Sequence, residues 1–162
     1  MNTQILTPEL YQVVGDIYVK VQLDKYTSAI LSMDYVQEVL IVPISRISPM
    51  PNMPHCILGL LNRRNRVLWV IDLAQVLNLS AVDTNAQQCH IVIILVNQVS
   101  LALVVQEVKG VIRLTPDCIQ SSIKQACSDI TDYIHGWVVL AQETLMVLNA
   151  EAIAHSPNLH NY

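Results

Sequence analysis

Residues 57–73 read ILGLLNRRNRVLWVIDL, and their pattern decides the fold class. An apolar run at 57–61 enters a polar turn spanning Asn62–Asn65, and a second apolar run leaves it at 66–71. Two short apolar runs around a polar turn read as two strands of a hairpin. Asn tolerates a left-handed backbone, so Asn65 can take a positive φ there. Asp72 then stands where a helix N-cap belongs, ahead of a stripe of Leu73, Val76 and Leu77. The turn carries Arg63, Arg64 and Arg66. That much positive charge sits oddly on an acidic, aliphatic chain and suggests a surface that grips another macromolecule.

Working outward, the same punctuation recurs. Residues 17–23, IYVKVQL, alternate, with Ile17, Val19, Val21 and Leu23 on one face and Tyr18, Lys20 and Gln22 on the other, as in a half-buried strand. Residues 29–33 read as a second strand. In 35–42, YVQEVLIV, alternation puts Val36 and Glu38 on one face and Gln37 and Val39 on the other. Residues 43–54 hold Pro43, Pro49, Pro51 and Pro54, a density that excludes helix and central strand. An ordered loop is expected, anchored by Ile44, Ile47, Met50 and Met53. Two long strands, 91–96 and 100–108, flank an Asn97–Gln98 turn, and VIRL (111–114) follows Gly110. Residues 133–148 give two more strands around Gln142–Thr144, and Asn149 caps a last helix, AEAIA. Thr7, Pro8 and Glu9 mark a helix start over 7–14. The polar residues 80–88 are linker-like, and 115–132 are irregular beyond a Thr115-Pro116-Asp117 turn signal. Nine or ten short strands with little helix indicate an all-β barrel or sandwich.

Composition bounds the function. The chain has 162 residues, 52% of them apolar and only 14% charged, which suits one domain or two small halves sharing a core. A coat so poor in charge implies that partners cover part of the surface. The net charge of −4 disfavours nonspecific binding to nucleic acid. Apolar runs such as IVIILV (91–96) fall far short of the ~20 residues of a membrane helix, so no membrane insertion is expected. The first nineteen residues hold no Lys or Arg, so no charged leader start is seen. Cys56, Cys89, Cys118 and Cys127 form no CxxC pair and are expected to be reduced thiols.

Catalytic motifs are missing: there is no GxSxG, phosphate loop, GxGxxG or HExxH. The pairs His55–Cys56 and Cys89–His90 raise a small-molecule- or metal-binding β-barrel as an alternative, but neighbours on a strand point to opposite faces, so no metal or other cofactor is expected. Trp69 and Trp137 are expected in or beside the core. For the arginines, nucleic-acid binding is opposed by the net charge and the lack of interleaved aromatics. A solvated turn is the plain alternative. Protein docking is favoured, because arginine's forked donors are enriched at binding hot spots. A carboxylate such as Glu38 could hold one guanidinium in place.

Taken together, VQEV (36–39), the Pro-rich loop, GLLNRRNRVLWVIDL (59–73), VVQEVKGVIRLTPDCI (104–119) and YIHGWVVLAQETLMVLNAEAI (133–153) resemble CheW, the chemotaxis coupling proteins. The chain departs from the family pattern at Asn65, which stands for a glycine, at Arg63, which replaces an aliphatic residue, and at Trp69, which replaces a proline. The first hairpin, 23–30, also lacks the family's glycines. The resemblance implies two intertwined five-stranded SH3-like β-barrels with short helices, one of them C-terminal, over 13–154, with 1–12 and 155–162 as terminal extensions. It implies no enzymatic activity. It implies a cytoplasmic adaptor, peripheral to the membrane, that holds the tip of a methyl-accepting chemoreceptor against the regulatory domain of a CheA-type histidine kinase. A pilus-motility or phototaxis array is the alternative setting. Glu38 and Arg64 match the family's charged pair beside the receptor-facing groove, and Val36, Gly59 and Asn62 match its neighbours.

Overall fold

A computed structural model describes residues 15–79, 87–121 and 131–159. The expected helix start at 7–14, most of the 80–88 segment, residues 122–130 with Cys127, and residues 160–162 lie outside the described residues. Those described hold eleven strands: β1 (Asp16–Gln22), β2 (Ser28–Ser32), β3 (Val36–Pro43), β4 (Ile57–Arg63), β5 (Arg66–Asp72), β6 (Gln88–Val96), β7 (Val99–Val105), β8 (Glu107–Leu114), β9 (Gln120–Ser121), β10 (Ile134–Val139) and β11 (Thr144–Leu148). Two short helices, α1 (Leu73–Val76) and α2 (Ala150–Ala154), follow β5 and β11.

The strands form two sheets, ordered β8-β1-β2-β11-β10-β9 and β3-β6-β7-β5-β4. Each curls into an SH3-like barrel, as the family resemblance implies. The first five strands of one sheet match the five of the other in order and in sense. The pairs run antiparallel, antiparallel, parallel (β2 with β11, β5 with β7), antiparallel. The first barrel adds β9 as a two-residue sixth strand. The match extends to sequence: 57–77 (ILGLLNRRNRVLWVIDLAQVL) and 134–154 (IHGWVVLAQETLMVLNAEAIA) occupy equivalent places without a gap, each ending in a cap residue and a short helix. That internal repeat is too diverged to see in the letters alone. The barrels interlock because β3 to β7 form the second one, while the first is assembled from the chain on both sides of them.

Three apolar clusters account for the packing. Tyr18, Ile30, Val138, Leu145 and Val147 fill the first barrel. Val42, Leu61, Leu68, Val70, Ile91, Ile93, Ala102 and Val104 fill the second. The largest lies between them and takes the opposite faces of the same strands: Val19, Val21, Ala29 and Leu31 from one sheet meet Val92, Ile94, Leu101 and Leu103 from the other. A strand buried on both faces has no polar face to show. This explains the unbroken run at 91–94, where residues of alternate parity serve two different cores. Trp69 and Trp137 pack against the shared core. Cys56 and Cys89 are buried free thiols, and burial is the main cause that pushes both above the usual thiol range. Past α2 the chain still packs: the Tyr133 and Ser156 hydroxyls lie 2.7 Å apart, and Leu159 enters the shared core.

Local structure follows the turn residues closely. Asn97 and Gln98 both take positive φ, as a two-residue hairpin with a type I′ turn requires, and so do Arg64 and Asn65. Asn149 caps α2 by accepting from the Ala152 amide at 3.1 Å. Asp72 occupies the equivalent place before α1, but its side chain makes no capping bond to the first turn. The strand expected over 100–108 is two strands: β7 ends at Val105, and β8 starts at Glu107 in the other sheet. Only Gln106 separates them, its amide bonded to the Gln22 carbonyl at 2.9 Å. Alternation alone does not reveal this switch, since Gln106 and Glu107 interrupt the apolar run without a turn residue to mark a break.

Gly59 and Gly136 hold equivalent places in β4 and β10, each beside a register shift. A Cβ on Gly59 would overlap the Ser48 carbonyl oxygen, and one on Gly136 the Gln120 carbonyl oxygen. In the second barrel this close approach lets Ser48 and Leu60 exchange backbone bonds of 2.8 and 2.9 Å, pinning the Pro-rich loop. Gly59 also has φ 147, which side chains rarely adopt. We expect Gly59→Ala and Gly136→Ala each to lower stability by about 2 kcal/mol or more, the range of overpacked sites. Urea unfolding would check it through a lower midpoint at unchanged slope.

Candidate functional site

The residues singled out in the sequence converge on the mouth of the second barrel, with exceptions. Glu38 and Val36 were expected on one face of β3. They are on opposite faces, because a register shift lies between them: Val36 pairs with Ile94 and Glu38 with Ile93. Ile94 belongs to the shared core and Ile93 to the interior of the second barrel. Val36 therefore packs toward the shared core, and Glu38 turns into the barrel mouth. Such a bulge inserts one residue and reverses the parity of everything beyond it.

On the opposite edge of the sheet, β4 and β5 bring in the arginines. Arg63 and Arg66 are cross-strand partners, as are Leu61 and Leu68, which line the barrel interior. Arg63 shares the face of Leu61 two residues earlier and so reaches across the mouth. Its Nε donates to Glu38 Oε1 at 3.2 Å, and its Nη2 donates to Oε2 of the same carboxylate. This forked pair joins β3 to β4, the two edges of the sheet. The bond from Arg63 holds the Glu38 carboxyl below the usual carboxylate range, with the Arg63 and Arg64 charges adding to the effect. Arg63 is raised in turn, chiefly by its bond to Glu38.

Arg64 was expected to be the partner of Glu38. It is the weaker one: its Nη2 lies 3.5 Å from Oε2, and its side chain is 74% exposed against 34% for Arg63. The reason is the turn. Arg64 occupies a positive-φ position at the hairpin tip, which aims its side chain outward. Arg66 donates to the Ser100 hydroxyl at 3.0 Å. A cleft of about 320 Å³ results, walled by Gln37, Glu38, Arg63, Arg64 and Arg66 and floored by Leu68 and Ile93. Gly59 and Asn62 do not line it. Gly59 is the contact point for the loop, and Asn62 is exposed beside Val67 on the outer side of the hairpin.

A second feature adjoins the site. Val39 pairs with Val92, and Val111 with Val19, so both share faces with the common core. They lie on edge strands, where that core is no longer covered, and they are exposed, as are Ile41 and Ile17 next to them. Because β6 approaches β8, these residues border the junction of the two barrels. The junction itself is filled by the shared core, so the surface there is an apolar strip on top of packed side chains. Sequence reasoning missed Val39, Ile41 and Val111. Their signal was present as apolar positions in strands whose alternate residues were also apolar, but nothing in one sequence marks a strand as an edge.

Among the described residues no three His, Cys, Asp or Glu side chains group as a metal site would need. No helix in the described residues is long and apolar enough to cross a membrane.

Comparison with known proteins agrees with this architecture. The crystal structure of the scaffolding protein TtCheW from Thermoanaerobacter tengcongensis superposes with a TM-score of 0.72 at 20% identity, covering 84% of this chain and 90% of that one. No curated protein matches the sequence. The family of CheW-like domains matches residues 18–158, nearly the whole described fold from β1 to the turn after α2, and the chain belongs to that family.

Proposed function

We propose that this chain is a non-enzymatic adaptor of the cytoplasm, coupling the helical tip of a chemoreceptor to the regulatory domain of a CheA-type histidine kinase. The observation that carries this reading is an apolar strip, Val39, Ile41 and Val111, lying beside a charged mouth on a rigid two-barrel body. A helix buries apolar side chains best in such a strip, and charged neighbours fix its register. Glu38 and Arg64 are the ionic anchors of this receptor-facing surface, with Arg63 holding Glu38 in position. Val36, Gly59 and Asn62 support it from the core side, the loop side and the hairpin. The kinase domain takes apolar surface elsewhere on the second barrel. Being stiff and closed, the two barrels transmit position: a shift of one partner against the body is felt by the other.

The test is co-precipitation of the purified chain with receptor-tip fragments and kinase regulatory domains from the same cell. Glu38→Ala and Arg64→Ala are expected to leave the fold intact, by unchanged circular dichroism, and to weaken receptor capture several-fold, as hot-spot truncations do. Full capture by both variants would remove the receptor from this surface.

The charge pair also gives a pH signature. Glu38 has its folded-state pKa lowered from 4.5, so its contribution to stability is present above that value and lost as pH falls through the folded-state pKa. Wild type is therefore expected to exceed Glu38→Gln in stability at neutral pH, and the two urea midpoints should converge in acid. Parallel curves down to low pH would show that the pair does not couple to folding.

A further inference from the structure

We infer that the mouth of the second barrel is built to take a carboxylate: it receives a glutamate or aspartate that a partner protein presents next to an apolar side chain. This deepens the adaptor reading and rests on it only for the partner's identity.

The first argument is charge. Three guanidinium groups line the cleft with one carboxylate, Glu38. Glu38 is committed to Arg63 through two bonds. That leaves Arg64 with a marginal 3.5 Å contact, and Arg66 with a neutral hydroxyl and, among the described residues, no ion pair. Two positive charges therefore stand in excess on a chain whose net charge is −4. If Arg63 were aliphatic, Glu38 would have only Arg64 nearby, and the mouth would carry one excess positive charge in place of two. Arg63 thus acts by releasing Arg64.

The second argument is that the arrangement costs stability within the free chain. Arg63 and Arg66 are directly opposite on paired strands, where like charges repel. Arg64 holds a backbone conformation, φ 55, that non-glycine residues adopt at a penalty. A partner carboxylate placed beside Arg66 would offset that repulsion.

The third argument is the shape and chemistry of the recess. Its floor is Leu68 and Ile93, and its wall is forked N–H donors. A carboxylate meets such donors through two parallel bonds, and a neighbouring apolar side chain covers the floor. Nucleic acid fits less well, because no aromatic side chain lines the cleft for base stacking.

The test is NMR titration of the full chain, following the arginine Nε–H signals. The probe is an amphipathic helical peptide with glutamate beside leucine, compared with the same peptide carrying glutamine. The glutamate peptide should shift Arg64 and Arg66 and bind at least about fivefold tighter than the glutamine form, with the preference fading as salt rises. Arg66→Ala should remove most of that preference. Arg63→Leu should also reduce it, by returning Glu38 to Arg64. Charge reversal, Arg66→Glu, should move the preference toward a lysine peptide and controls for misfolding. Equal binding of both peptides, or tighter binding of short oligothymidylate at the same signals, would overturn the inference. Receptor and kinase capture in the preceding experiment is scored separately. Its loss with peptide selectivity intact refutes the adaptor reading alone, and capture without peptide selectivity refutes the carboxylate site alone.

Discussion

The packing of this structure follows from central strands, β6 and β7 above all, that are apolar on both faces. A sheet of such strands cannot leave either face in water, and burial of each Val, Leu or Ile is worth about 1.5–3 kcal/mol. Curling solves half of the problem, because the concave face then covers itself around Leu145 and Val147 in one barrel or Ile93 and Val104 in the other. Placing the two barrels back to back solves the other half, since each convex face becomes the lid of its neighbour. The low charge content, puzzling for a chain of this length, is a direct result.

Where that solution is incomplete, the surface becomes useful. The shared core is wider than the strands that cover it, and at edge strands β3 and β8 it comes to the surface as Val39, Ile41 and Val111. Next to this strip the second barrel ends in guanidinium groups held over an apolar floor. The interior of the molecule and the docking face proposed for it are thus made from the same strands, separated only by how far each strand reaches.

The fold was legible in the sequence to the extent that turns and parity announce it. Asn65, Asn97 and Asn149 marked two hairpins and a cap, and the structure uses all three as expected. The all-β class followed from the order of short apolar runs, and the family from the resemblance carried by 36–39, the Pro-rich loop, 59–73, 104–119 and 133–153. Three things were hidden. The bulge in β3 separates Val36 from Glu38, and no residue type announces it. The exchange of sheets at Gln106 is marked only by the polar pair Gln106–Glu107, which does not distinguish a change of sheet from an exposed strand position. The duplication relating 57–77 to 134–154 is kept by glycine, hairpin and cap positions more than by identity. The candidate site was half legible: Glu38 and the arginines stood out as charges in an aliphatic stretch. Which arginine holds the carboxylate depends on the hairpin tip, where one positive φ turns Arg64 away and leaves Arg63 facing inward.

The interlocked connectivity has a consequence for biosynthesis. The second barrel is made from one uninterrupted segment, so it can close while the chain is still being translated. The first cannot, because Ser28–Ile30 must wait for Leu145–Val147 to pair beside it. Until the ribosome has delivered nearly the last strand, the convex face of the finished barrel stands open to water. Pairings this distant in sequence form slowly and expose sticky intermediates. The same greasy face that later welds the halves together is therefore, during synthesis, the part of the nascent chain most in need of a chaperone.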